Sequence, residues 1–129
     1  MVPYSSSIGA RIEQLEAGYA VATLRDRPAV RNHLHSVHAV ALTNLGELVS
    51  GLAMLTATGD DVRGIVVRLE TRYLKKARGP LRAVCRVAPA LPITAPVEVE
   101  VVARITDHSA DHDIVAVVTA TWRLEPIAP

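Results

Sequence analysis

Residues 37–58 are the stretch that most limits what this chain can become. Ala39, Val40, Ala41, Leu42, Leu45, Leu48, Val49, Leu52, Ala53, Met54 and Leu55 fall all around a helical projection. A helix apolar on nearly every side is expected to be buried on nearly every side. Only Thr43, Glu47 and Ser50 form a thin polar stripe, at i, i+4 and i+7. Glu47 is the sole formally charged residue between Arg31 and Asp60, and a carboxylate there is costly to bury. Ser36 is placed to cap the helix and Gly59 to end it. Gly46 and Gly51 weaken helix propensity, which close packing against a neighbouring backbone would explain. The stretch approaches membrane-spanning length. His38, Asn44, Glu47 and Ser50 within it, and the lack of a second such stretch, favour a buried helix of a protein with no membrane partner.

The flanking sequence changes period from helical to alternating. Ile8–Leu15 and Tyr19–Leu24 read as strands around an Ala17-Gly18 turn, and Arg25–Pro28 closes the second. Residues 29–36 form a loop. After the helix, the strands Ile65–Tyr73, Leu81–Val87, Val97–Ile105 and Ile114–Leu124 each show an apolar face of period two. Gly79-Pro80, Pro89–Pro96 and Asp107–Asp113 connect them. Ile65, Val67, Leu69, Thr71 and Tyr73 are expected to share one face. The order is ββαββββ, and short turns imply mostly antiparallel neighbours. A single domain over residues 1–129 is long enough to bury a core. Aromatics are 3% and Phe is absent, so Val, Ala and Leu must fill that core. One helix apolar all round, wrapped by a curved antiparallel sheet, is an α+β architecture of the hotdog type.

Charge and cysteine content narrow the function classes. A formal net charge of +1 gives no electrostatic case for a nucleic-acid partner. Cys85 is the only cysteine, so no intrachain disulfide forms, and a reducing, cytoplasmic setting fits. The segment Met1–Ser7 has neither the basic nor the apolar region of a signal peptide.

Chemistry gathers at the helix start. The loop Arg31-Asn32-His33-Leu34-His35-Ser36-Val37-His38-Ala39 is rich in hydrogen-bonding groups and runs straight into the helix. With Asn32, His38, Ala39 and Glu47 at these spacings, the chain resembles hotdog thioesterases of the phenylacetate-pathway type. Within them it is similar to the family DUF4442. The resemblance implies hydrolysis of an acyl-CoA thioester, with coenzyme A as part of the substrate and no separate cofactor. It implies that Glu47 acts as nucleophile or general base, that the Ala39 N–H polarises the carbonyl, that Asn32 orients water or carbonyl, and that His38 lines the entry. Unpaired donors and the positive dipole end of a helix N-terminus suit a developing oxyanion. The chain departs from the family pattern at His35, usually Gly, and at Val40, often a small residue. A side chain at His35 would reach the acyl or pantetheine channel.

Geometry adds a constraint. His38 and Glu47 are separated by roughly 13 Å of rise and about two and a half turns, so they point to opposite sides of one helix. A working site therefore requires a homodimer with antiparallel helices, and the resemblance implies that two dimers can associate further. Lys75, Lys76 and Arg78 are candidates for the coenzyme A phosphates.

Plainer readings stand beside these. Glu47 is otherwise a paired structural carboxylate, Asn32 a loop residue serving backbone groups, and the basic cluster a charged strand end. His33, His35 and His38 read as three loop imidazoles rather than a metal site, and Asp107–Asp113 as a solvated hairpin loop. Cys85 and Trp122 read as core. An alternative function is a hotdog protein that holds acyl-CoA or a related lipid without turnover. An enoyl-CoA dehydratase would need a His–carboxylate arrangement that the sequence does not show.

Overall fold

Gly18 takes a φ of 76°, which glycine adopts without strain, and its turn joins β1 (Arg11–Glu16) to β2 (Tyr19–Leu24). The structure is a computed structural model and describes residues 9–25, 39–77, 80–88, 92–107 and 113–127. The helix α1 (Ala39–Thr58) follows, then β3 (Val62–Tyr73), β4 (Leu81–Arg86), β5 (Val97–Asp107) and β6 (Ile114–Pro126). The six strands form one sheet in the order β1-β2-β4-β5-β6-β3, with every neighbouring pair antiparallel. This is the expected hotdog architecture, with the element order ββαββββ. Consecutive strands β3 and β4 are not neighbours, because β5 and β6 lie between them. The proposed cap Ser36 lies outside the described residues. The other helix end matches expectation: Gly59 has a φ of 87° and its N–H donates to the Leu55 carbonyl at 3.2 Å.

Alanines set the helix close to the sheet. Ala20, Ala22, Ala83, Ala103, Ala116 and Ala120 are fully buried strand residues within the core that contains Leu45, Val49 and Met54 of α1. Their short side chains let the helix backbone approach, and a Cβ at Gly46 would collide with Val118 of β6. Each large apolar side chain buried here contributes about 1.5–3 kcal/mol. Thr56 fastens the far end: its hydroxyl accepts from the Gly18 N–H at 3.1 Å and lies 3.0 Å from the Glu16 carbonyl.

Three expectations are corrected. First, α1 is not buried on every side: Val40 is 54% exposed, Leu55 is also exposed, and Leu48 and Leu52 are half-buried. The sheet covers one face of the helix, and the apolar residues on the other face stay open in a single chain. Second, β3 begins at Val62 rather than Ile65, and β6 runs on to Pro126, because Val62 pairs with Pro126 and Gly64 with Leu124. A Cβ at Gly64 would sit only 3.1 Å from the Leu124 side chain, so glycine here serves packing rather than ending a strand. Third, the register of β3 shifts between Val66 and Arg68. This bulge breaks the alternation. Gly64 and Val66, then Leu69, Thr71 and Tyr73, pair with β6 residues of the buried face, whereas Ile65 pairs with Arg123 and is 63% exposed.

α1 is also the only described helix long and apolar enough to span a membrane, and half of that span is buried inside the chain. Its place is the core of the fold.

Candidate functional site

The polar stripe of α1 lies along β3. Ala39, Thr43 and Glu47 stand one turn apart on the same side of the helix. Thr43 Oγ1 lies 2.8 Å from Thr71 Oγ1 and 3.0 Å from the Tyr73 hydroxyl. The Tyr73 hydroxyl donates to the Ala39 carbonyl at 3.1 Å. Three hydroxyls thus tie the first turn of the helix to the end of β3. The sequence reading missed this cluster, although a signal was present: Thr71 and Tyr73 are the polar members of an otherwise apolar row.

Glu47 follows one turn on and is half-buried. Its carbonyl accepts from Ser50 Oγ at 2.9 Å, and Ser50, fully buried, accepts in turn from Trp122 Nε1 at 3.2 Å. The helix backbone beneath Glu47 is therefore anchored to β6. Among the described residues, no ion pair engages the Glu47 carboxylate. The plainer reading, a carboxylate paired with a backbone donor or with an Arg across an interface, is not decided by a single chain.

Ala39 is exposed at the first described helical position. Its N–H is among those that an α-helix leaves without an intrahelical acceptor. Glu47 is eight residues further on, about 12 Å along the same helix. The two are not brought together within one chain. Asn32, His35, His38 and Arg78 lie outside the described residues, as do His33 and residues 108–112.

Lys75 and Lys76 are exposed just beyond β3. The Lys75 ammonium is already held, 2.9 Å from Asp113 Oδ2 and 3.6 Å from Asp107 Oδ2. The hydrogen bond it donates to Asp113, with the charge of Asp107 behind it, raises its pKa above the ordinary lysine value. These pairs join the end of β3 to β5 and β6. Among the described residues, no group of three His, Cys, Asp or Glu side chains is placed to hold a metal ion. Cys85 is buried, and burial pushes its thiol up to about 11, which leaves it protonated and inert at neutral pH.

Known proteins place this geometry in context. Solved structures share the fold along nearly the whole chain. A Pseudomonas aeruginosa protein of unknown function, PA5026, described as "Probable Thioesterase", is 25% identical, with a TM-score of 0.87 over 97% of this chain and 88% of its own. A thioesterase family protein from Silicibacter pomeroyi is 18% identical, with a TM-score of 0.81 over 97% and 90% of the two chains. The Escherichia coli PaaI protein of the phenylacetic acid degradation operon is 15% identical, with a TM-score of 0.78 over 98% and 88%. No protein of curated function matches the sequence. The profile of the family described as a domain of unknown function, DUF4442, matches residues 1–124, nearly the full length, and the chain belongs to that family.

Proposed function

We propose that this chain hydrolyses an acyl-CoA thioester at a site shared by two copies. The observation that carries the reading is Glu47: half-buried on the β3 side of the helix, anchored from below, and without an ion pair among the described residues. The likeness to PA5026 supports a thioesterase-type activity. Glu47 acts as general base on the water that attacks the thioester carbonyl carbon, or as nucleophile at that carbon, giving an anhydride that water then cleaves to free the acid and restore Glu47. The Ala39 N–H of the other copy polarises the carbonyl oxygen, Asn32 orients the attacking or accepting group, and His38 lines the entry. The C–S bond breaks, the coenzyme A sulfur leaves and takes a proton, and a carboxylate remains. Lys76 and Arg78 meet the coenzyme A phosphates; Lys75 keeps its two carboxylates.

The edge of β3 supports the dimer. Leu69 and Tyr73 pair with buried alanines of β6 and belong to the covered face, yet they are 37% and 50% exposed. Antiparallel pairing of two β3 strands would cover them. A two-fold axis at Leu69 sets Arg68 of one copy opposite Glu70 of the other, and opposite charges across strands are favourable. An axis at Glu70 would oppose like charges.

Two measurements test the proposal. Glu47→Ala should abolish thiol release from a panel of acyl-CoA esters while leaving the fold intact; full turnover in that variant would sink its role. Ala39→Pro removes the N–H near the helix start, where that N–H has no intrahelical acceptor. It should also be inactive, and mixing the two inactive variants should restore turnover through mixed dimers that hold one complete site. No recovery despite subunit exchange would place the site within one chain. Binding without thiol release would instead favour a protein that holds acyl-CoA.

A further inference from the structure

We propose that the outer face of the sheet, around Arg82, Arg86 and Arg104, is a docking surface for an acidic, extended segment of a partner protein. The inference does not depend on the thioesterase reading. Strand register builds the cluster. Val84 of β4 pairs with Arg104 of β5, and Arg82 pairs with Thr106. Ala83, Cys85, Ala103 and Ile105 are buried on the helix side, so Arg82, Val84, Arg86, Val102 and Arg104 share the opposite face. Arg82 and Arg86 flank Val84, which makes Arg104 the diagonal neighbour of both, about 7–8 Å from each. Arg86 and Arg104 are exposed and Arg82 is half-buried. Like charges this close across strands are destabilising. Among the described residues no ion pair relieves them, whereas Arg63, Arg68 and Arg123 of the same face each pair with Glu125 or Glu70. Arg86 lies instead over the Tyr19 ring, 4.2 Å from its centroid. Arg11 and Arg72, two strands to either side, extend the positive face and carry no ion pair among the described residues.

Arg82, Arg104 and Arg86 succeed one another at every second residue along the strand axis, about 7 Å apart. An extended chain presents alternate side chains at the same interval. Asp or Glu at alternate positions of such a chain therefore meets the three guanidinium groups in turn, and each can take a carboxylate bidentately. The composition suits a protein partner, because Arg and Tyr are enriched at protein interfaces and Lys is depleted. Here Tyr19 and the three arginines surround half-buried Val84 and Val102, and the two lysines, Lys75 and Lys76, lie beyond the end of β3. Glu16 of β1 and Glu98 and Glu100 of β5 stand around the cluster on the same face. A broad anionic surface, such as a membrane or a nucleic-acid duplex, would press on those carboxylates as well. A single narrow chain lies along the arginines alone.

The test titrates the full-length protein with a fluorescent peptide of alternating Glu and Thr, and with the same peptide carrying Gln for Glu. Two double variants remove equal charge from the same face: Arg82→Gln with Arg104→Gln, and Arg63→Gln with Arg123→Gln. The Glu peptide should bind and the Gln peptide should not. The first double variant should lose about tenfold in affinity, and the second should bind as the wild type does. Arg104→Gln should unfold at the same or a higher temperature, since it relieves repulsion; a clear fall would make the arginines structural and overturn the proposal. Equal weakening in both double variants would reduce the binding to net charge and overturn the site, as would no binding of the Glu peptide. Tighter binding of a single-stranded oligonucleotide or of phosphatidylserine vesicles at the same arginines would overturn the choice of partner. So would self-association of the wild type that the first double variant abolishes, because a second copy would then cover this face.

Discussion

The two edges of the sheet expose similar apolar side chains but are built to different ends. β1 is six residues long, with every residue exposed, a register shift between Ile12 and Gln14, and charges at Arg11, Glu13 and Glu16. A Thr23 hydroxyl of β2 donates to Glu13 at 2.9 Å. Short length, a bulge and charge are the usual means of blunting a free edge. β3 is twelve residues long and leaves residues of the covered face open to solvent. The lesson is that exposure alone does not mark an interface. Leu15 pairs with buried Ala20 as Leu69 pairs with buried Ala120, so strand length rather than the face a residue belongs to separates the two edges.

The largest effect that separates the two edges is catalytic. Glu47→Gln, on the β3 side, should lower kcat by about 10²–10⁴ if the carboxylate acts as a base. Glu13→Gln, on β1, should leave turnover of the same ester unchanged.

A matched pair tests assembly next. Leu69 and Leu15 are 37% and 45% exposed. Leu69→Asp should shift the protein to monomer in light scattering and remove activity with it. Leu15→Asp should do neither. Dimers that survive Leu69→Asp, or fall apart in Leu15→Asp, would break the comparison. Charge reversal refines it: Glu70→Arg should weaken the dimer, and combining it with Arg68→Glu should restore much of the loss.

A smaller effect concerns the hydroxyl cluster at the end of β3. Tyr73→Phe removes only the hydrogen bonds that hold Thr43 and the Ala39 carbonyl. A net loss of about 0.5–1.5 kcal/mol per hydrogen bond, felt at the proposed oxyanion donor, corresponds to a several-fold fall in kcat. KM should change little, and an unchanged kcat would remove the cluster from the mechanism.

The smallest effect is at Cys85, remote from both edges. Its raised pKa and burial predict negligible alkylation by iodoacetamide at neutral pH in the folded protein and rapid labelling in denaturant. Labelling without denaturant would mean that the sheet beneath the helix opens far more easily than its packing implies.

Much of this was legible in the residues. The helix, its glycine stop and the strand count follow from periods of 3.6 and 2, which depend on local sequence. The proposal of a site shared by two subunits rests on the nine-residue gap between His38 and Glu47. What stayed hidden depends on partners distant in sequence. A strand read as starting at Ile65 leaves Gly64 outside it, and only the space that Leu124 and Trp122 need shows why glycine stands there. The bulge at Val66–Arg68 cannot be read from alternation, because a single extra residue looks like more of the same pattern. All-round apolarity predicted all-round burial. The sheet supplies cover on one face only, so Val40 and Leu55 are left open. Trp122 read as a packing residue and lies in the core, but the convergence of Ser50, Gly51 and Gly64 on it involves positions that no short window contains.

The order of strands bears on how the molecule is made. β3 has one neighbour, β6, and β6 follows all the other described strands in chain order. Long-range pairings of this kind form slowly, because a long loop must close before any contact rewards it. A twelve-residue strand that carries Ile65, Val67 and Leu69 must therefore wait for β6, synthesised after β4 and β5, before it pairs. Such a strand is a hazard for aggregation during that interval. Substitutions near the end of β6 should thus reduce the yield of folded protein out of proportion to their effect on its stability.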